Sequence, residues 1–120
     1  MIRYRFPARN KLNKTDEFSS VFSFRRRINS SYLALHYMPN ALEYPRLGIV
    51  VSKKIVRRAH ARNYMKRVVR ELFRLHRHDI ACADIVIRAQ KPFAHEDFAQ
   101  VSAEFMTAIA KLARYMAPIQ

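Results

Sequence analysis

A chain of 120 residues supports one compact domain with its own core, and a 50% hydrophobic composition, including eight Phe and six Tyr, excludes a disordered chain. Lys and Arg number 23 against nine Asp and Glu, a formal net charge of +14. So strong a field repels itself in the compact state, which points to an anionic partner: nucleic acid first, anionic lipid second.

The opening stretch MIRYRFPARNKL is basic but lacks the apolar run of a signal peptide, so residues 1–11 read as an N-terminal arm of a single domain spanning 1–120. TDEFSSVF follows as a short helix. Thr15 is placed to cap it, Asp16 and Glu17 suit the positive end of its dipole, and Phe18, Val21 and Phe22 form one stripe. SSYLALHYM alternates as a strand, with Leu33, Leu35 and Tyr37 on one face and Tyr32, Ala34 and His36 on the other. After the punctuation NALEYP, RLGIVVS reads as a second strand.

The segment from Val51 to His78 is the most charged of the chain. It carries Lys53, Lys54, Arg57, Arg58, Arg62, Lys66, Arg67, Arg70, Arg74 and Arg77 against one acid, Glu71. On a helical wheel Ala61, Tyr64, Met65, Val68, Leu72 and Leu75 share one flank, while Arg58, Arg62, Lys66, Arg70 and Arg74 step by four along another. Like charges four residues apart repel by a few tenths of a kcal/mol per pair, and an ordinary solvated face would alternate Glu with Lys to remove that cost. A membrane-surface helix would leave its apolar face free, and this one is needed to cover the strands. A phosphate backbone is the partner that fits. DIVIRA then reads as a third strand. HEDFAQVSAEFMTAIAKLARYM reads as a closing helix lined by Phe98, Val101, Phe105, Ile109, Leu112 and Met116 and ended by Pro118. The order α-β-β-α-β-α makes a single small α+β domain.

Other chemistry finds little support. His76 and His78 stand two apart and share no helix face, and Cys82 is the only cysteine, so neither a metal site nor a disulfide follows. A lone thiol fits a reducing compartment, and no apolar run is long enough for a bilayer, so a soluble cytoplasmic protein is expected. The carboxylates form no recognisable two-metal set, and one glycine, Gly48, rules out a glycine-rich phosphate loop. No catalytic residue is identified.

RLGIVVSKK followed by RRAHARNYMKRVVRELFR closely resembles the signature of the bacterial ribonuclease P protein subunit, and EFSSVF resembles that family's first helix. The likeness runs in order along the whole chain. It implies an α-β-β-α-β-α domain whose basic helix joins two parallel strands by a left-handed crossover, where general rules would give the right-handed one. It implies a protein that joins a catalytic RNA and holds the 5′ leader of precursor tRNA, so that the leader is removed and the mature 5′ end forms. Catalysis would reside in the RNA, with Mg2+ held mainly by the RNA and its substrate, and no obligate protein partner. Carried over by position, Lys53, Lys54, Arg62, Asn63, Lys66, Arg67 and Arg70 would contact RNA, with Arg57 and Arg58 beside them. Phe18, Phe22 and His36 would line the leader cleft. The chain departs from the family pattern at Tyr64, where the motif has Arg, and at His36, near which the family has a larger aromatic. A ribosomal or ribonucleoprotein-assembly protein with no role in cleavage, or a self-sufficient nuclease, are the alternatives.

Overall fold

The computed structural model of the protein describes residues 8–117. A 3-10 turn at Ala8–Asn10 precedes helix α1 (Thr15–Ser23), and strands β1 (Arg26–Asn29), β2 (Leu33–Pro39) and β3 (Arg46–Val50) follow. Helix α2 (Ala59–His76), strand β4 (Ala83–Ala89) and helix α3 (Phe98–Met116) complete the domain. The architecture is the expected α+β domain with one strand more than the sequence indicated, β1. That strand is RRIN, whose single apolar residue, Ile28, gives no alternation to read, and its pairing with β2 is what defines it.

The sheet order is β1-β2-β4-β3. β2 pairs antiparallel with β1 and β4, whereas β3 and β4 run parallel and are joined through α2, as parallel neighbours require. The segment before α1 borders β3: Lys11 bridges to Leu47, and the Leu12 N–H donates to the Leu47 carbonyl at 2.9 Å. Strand β1 forms the opposite edge.

Alternation along the strands divides the core in two. Leu33, Leu35, Tyr37, Leu47, Ile85 and Ile87 bury against Met65, Val68 and Leu72 of α2 and Val101, Phe105, Ile109 and Leu112 of α3. On the opposite face Val21 of α1 meets Val86 of β4 and Leu12, flanked by Phe18, Met38 and Val50. Nine residues of helix rise about 13 Å, enough to cross strands about 4.8 Å apart but not to cover strands running about 20 Å. One face of the sheet is therefore closed by two long helices, and the other carries only α1.

Four expectations change in detail. Tyr32 precedes β2 and packs with the larger core, its ring 6.0 Å from Phe93, instead of joining the His36 face. Thr15 is the first helical residue and does not cap; Glu17 does, accepting from the backbone N–H groups of Asn13 and Lys14 at 3.1 Å each. On α2 the buried arc runs through Met65, Val68, Val69, Leu72 and Phe73, while Leu75 is 46% exposed. The arc is turned because α2 faces α3 near its end as well as the sheet, with His76 lying 6.5 Å from the Phe105 ring. Phe98, at the start of α3, is also exposed.

Gly48 is set by packing. A Cβ at this position would lie 2.4 Å from Cε1 of Phe18, so the ring rests directly on the β3 backbone. Gly48→Ala is expected to push the ring off the sheet and destabilise the fold by about 1–3 kcal/mol in denaturant unfolding. Adding Phe18→Ala to that variant should cost less than Phe18→Ala alone, because the clash and the ring disappear together.

Candidate nucleic-acid interface

The row Arg62, Lys66, Arg70, Arg74 does not stay on one line. Four residues turn a helix about 400°, so each step drifts about 40° and the row crosses the surface. Arg62 starts it near the buried flank, half-buried, and its guanidinium donates to the carbonyls of Val56 at 2.9 Å and Arg57 at 2.7 Å. It ties down the segment between β3 and α2, a structural task the sequence did not reveal. Arg74 ends the row in an ion pair with Glu71, three residues back. That contact raises the Arg74 pKa and lowers that of Glu71. Between them Arg67 and Arg70 are exposed and Lys66 half-buried, and Asn63 is exposed one turn earlier. Lys53, Lys54, Arg57 and Arg58 stand exposed ahead of the helix. Tyr64 is half-buried with its ring 6.5 Å from Phe93, so this position serves packing here.

Helix α1 is anchored at its start by a chain of charge. Arg46 on β3 meets Glu17 at 2.7 Å and grips Asp84 on β4 with two bonds, Nε to Oδ1 at 2.8 Å and Nη2 to Oδ2 at 2.6 Å. Asn40 adds a third donor to Asp84 at 2.9 Å. The two backbone N–H groups are the main reason the Glu17 carboxyl sits below the usual range, with Arg46 adding to them. The bonds to Asp84 raise the Arg46 pKa further.

From that anchor α1 crosses the sheet. Phe18 lies over Gly48 of β3, Val21 over Val86 of β4, and Phe22 meets the His36 ring on β2 edge-on, with centroids 4.8 Å apart. Two hollows flank the helix. One, of about 300 Å³, is bordered by Phe18, Lys11, Gly48, Ile49, Lys66 and Arg70, so the first ring of α1 and the cations of α2 share a single groove. The other, of about 260 Å³, is bordered by Phe22, His36, Arg25 and Arg27. The structure thus brings Phe18 to Lys66 and Arg70, and Phe22 to His36. The loop cations Lys53, Lys54, Arg57 and Arg58 line neither hollow. Lys11, Arg25 and Arg27 were not singled out from the sequence; the run FRRR directly after the first helix was the available signal.

His36 is only 9% exposed, and its Nε2 is buried without a hydrogen-bond partner, as is Nε of nearby Arg88. Burial first, then Arg88 and Arg27, push its pKa below the usual 6.5. The unfolded chain therefore takes up this proton more readily than the folded one. Stability contributed by neutral His36 is full above about pH 6.5 and is lost as pH falls from there through the folded value. His36→Phe should remove that loss. Melting temperatures recorded from about pH 7.5 downward should show His36→Phe gaining on the native protein toward acid, and a constant difference would contradict this.

Residues 1–7 of the N-terminal arm, with Arg3 and Arg5, and Pro118 lie outside the described residues. Arg9 is exposed and sits 5.1 Å from the centre of the Tyr44 ring. No described helix is long and apolar enough to cross a membrane.

Comparison with known proteins identifies relatives of this chain. The family model described as Ribonuclease P matches residues 6–113. The Ribonuclease P protein component of Chromobacterium violaceum is 44% identical over 114 residues, covering 95% of this chain and 94% of that protein. Its counterpart from an Azoarcus species is 43% identical over 108 residues, 90% of each. Among solved structures, the RNase P protein from Thermotoga maritima superposes with a TM-score of 0.75 at 30% identity, covering 84% of this chain and 96% of that one. Family model, relatives and fold agree, and the chain belongs to the Ribonuclease P protein component family.

Proposed function

We propose that this chain is the protein subunit of a cytoplasmic ribonucleoprotein endonuclease, that it binds the catalytic RNA through the cations on and before α2, and that it holds the 5′ leader of precursor tRNA on the face carrying α1. The observation that carries this reading is the groove in which Phe18 stands beside Lys66 and Arg70. A ring next to unpaired cations holds a single strand without reading its sequence, the ring stacking on a base and the cations meeting its phosphates. At the other end of α1, Phe22 and His36 offer a second ring pair with Arg25 and Arg27 beside them. A neutral imidazole stacks on a base more weakly than a larger ring.

Lys53, Lys54, Arg57, Arg58, Asn63, Arg67 and Arg70 supply the exposed polar and cationic surface for the RNA subunit, and their work is to screen phosphate repulsion as two RNAs approach. Arg62 takes part by holding the preceding loop in place, with its remaining donors available to RNA. Among the described residues no three His, Cys, Asp or Glu side chains gather as a metal-holding set. The reading leaves Mg2+ with the RNA and the substrate phosphates, and the protein's part is binding and positioning.

Cleavage of precursor tRNA by RNA alone, protein alone and the two together, at limiting magnesium, tests this. Cleavage by the pair well above that of the RNA alone is expected, with none from the protein alone. Cleavage by the protein alone would make it a nuclease in its own right. No stimulation of the RNA would make it an assembly protein.

A further inference from the structure

A larger groove, of about 720 Å³, lies beyond the Phe22–His36 hollow at the β1 edge, bordered by Phe24, Arg25, Arg26, Arg27, Tyr37 and the α3 residue Tyr115, among others. We propose that this groove is a second single-strand subsite, which receives the stretch of leader lying beyond the α1 hollow. The inference rests on the leader reading above and extends it.

Continuity is the first argument. Arg25 and Arg27 border both the groove and the hollow, so a strand leaving His36 meets cations without a gap. In the register of β1 with β2, Arg27 stands opposite His36 and Arg26 opposite Tyr37, placing cations on both faces of one edge. Charge is the second. No acidic residue borders the groove, and its three arginines form no ion pair among the described residues. Rings are the third: Phe24 is 46% and Tyr115 59% exposed, large surfaces for water to cover and suited to bases.

The fourth argument is the backbone. Arg25 has φ of 59°, just past the end of α1, where its N–H donates to the Phe22 carbonyl at 3.2 Å. A helix ends in this left-handed conformation most easily with glycine, because any Cβ is strained there. Charge on an edge strand deters pairing with other chains, which accounts for Arg26 and Arg27. It does not account for an arginine before the strand at a glycine-favouring position. A cation wanted between the two hollows does.

Affinity of the holoenzyme for precursors with leaders lengthened one nucleotide at a time tests the proposal. The native protein should gain affinity in two stages, first as the hollow fills and then as the groove fills. Tyr115→Ala should lose about tenfold of the second stage, with mature tRNA and the shortest leaders bound as before. Arg25→Gly should weaken both stages while melting at or above the native temperature, since glycine relieves the backbone. A full second stage in Tyr115→Ala overturns the proposal. So does an equal loss with mature tRNA, which would give the groove to the RNA subunit. If Phe22→Ala keeps both stages intact, the underlying leader reading fails instead.

Discussion

Asp84→Ala is expected to lower the stability of the fold by about 2–4 kcal/mol, measured by urea unfolding. Removing one partner of a buried ion pair strands the other, at a typical cost of about 3–5 kcal/mol. The lower range follows because the Arg46 side chain is 24% exposed and keeps Glu17 at 2.7 Å, whereas the Asp84 side chain is nearly enclosed. The Asn40 Nδ2 would lose its best acceptor as well, leaving it the Tyr44 carbonyl at 3.4 Å. The double variant Arg46→Met, Asp84→Leu should recover much of the loss, because apolar pairs replace such bridges at little cost. A loss below about 1 kcal/mol for Asp84→Ala would show that the network is incidental. The effect should carry into function, since Arg46 links Glu17 at the start of α1 to the sheet and so fixes where Phe18 and Phe22 stand.

The second large effect is on RNA affinity. Changing Lys66, Arg67 and Arg70 together to Ala should flatten the dependence of log affinity on log salt by roughly 2–3, at about 0.7–0.9 per lost phosphate contact. The loss should be much the same for every RNA sequence, because backbone contacts carry no base information. Folding stability should hold or rise, since these side chains lie off the buried arc and repel one another along the helix. Arg62→Ala should behave differently, costing stability through the carbonyls of Val56 and Arg57 that it leaves without their donor. An unchanged salt slope in the triple variant would remove this face from the RNA interface.

The strands with clear alternation were legible: Leu33, Leu35 and Tyr37 face the larger core as expected, and β3 and β4 lie where RLGIVVS and DIVIRA indicated. Strand β1 was not, because Arg26, Arg27 and Asn29 surround its one apolar residue and only a partner strand makes it a strand. The wheel of α2 found the cationic side but set the apolar arc toward Leu75 and away from Phe73, since periodicity alone does not say that a second helix shares the contact. Arg62 looked like its neighbours because spacing cannot show that a guanidinium turns back onto its own loop. The meeting of Phe22 with His36 and of Phe18 with Gly48 joins segments far apart in the chain. No local pattern contains it. The family likeness indicated those cleft residues, while their burial and the arginines around them came from the fold.

The central claim is that the leader lies across the sheet face carrying α1. Photocrosslinking from single leader nucleotides of precursor tRNA to the reconstituted holoenzyme, mapped by residue, tests it directly. Crosslinks should fall on α1 around Phe18 and Phe22 and on β2 around His36, and excess unlabelled precursor should abolish them. Crosslinks confined to the buried-side helix α3 or to the segment between β4 and α3, with none on α1 or β2, would contradict it.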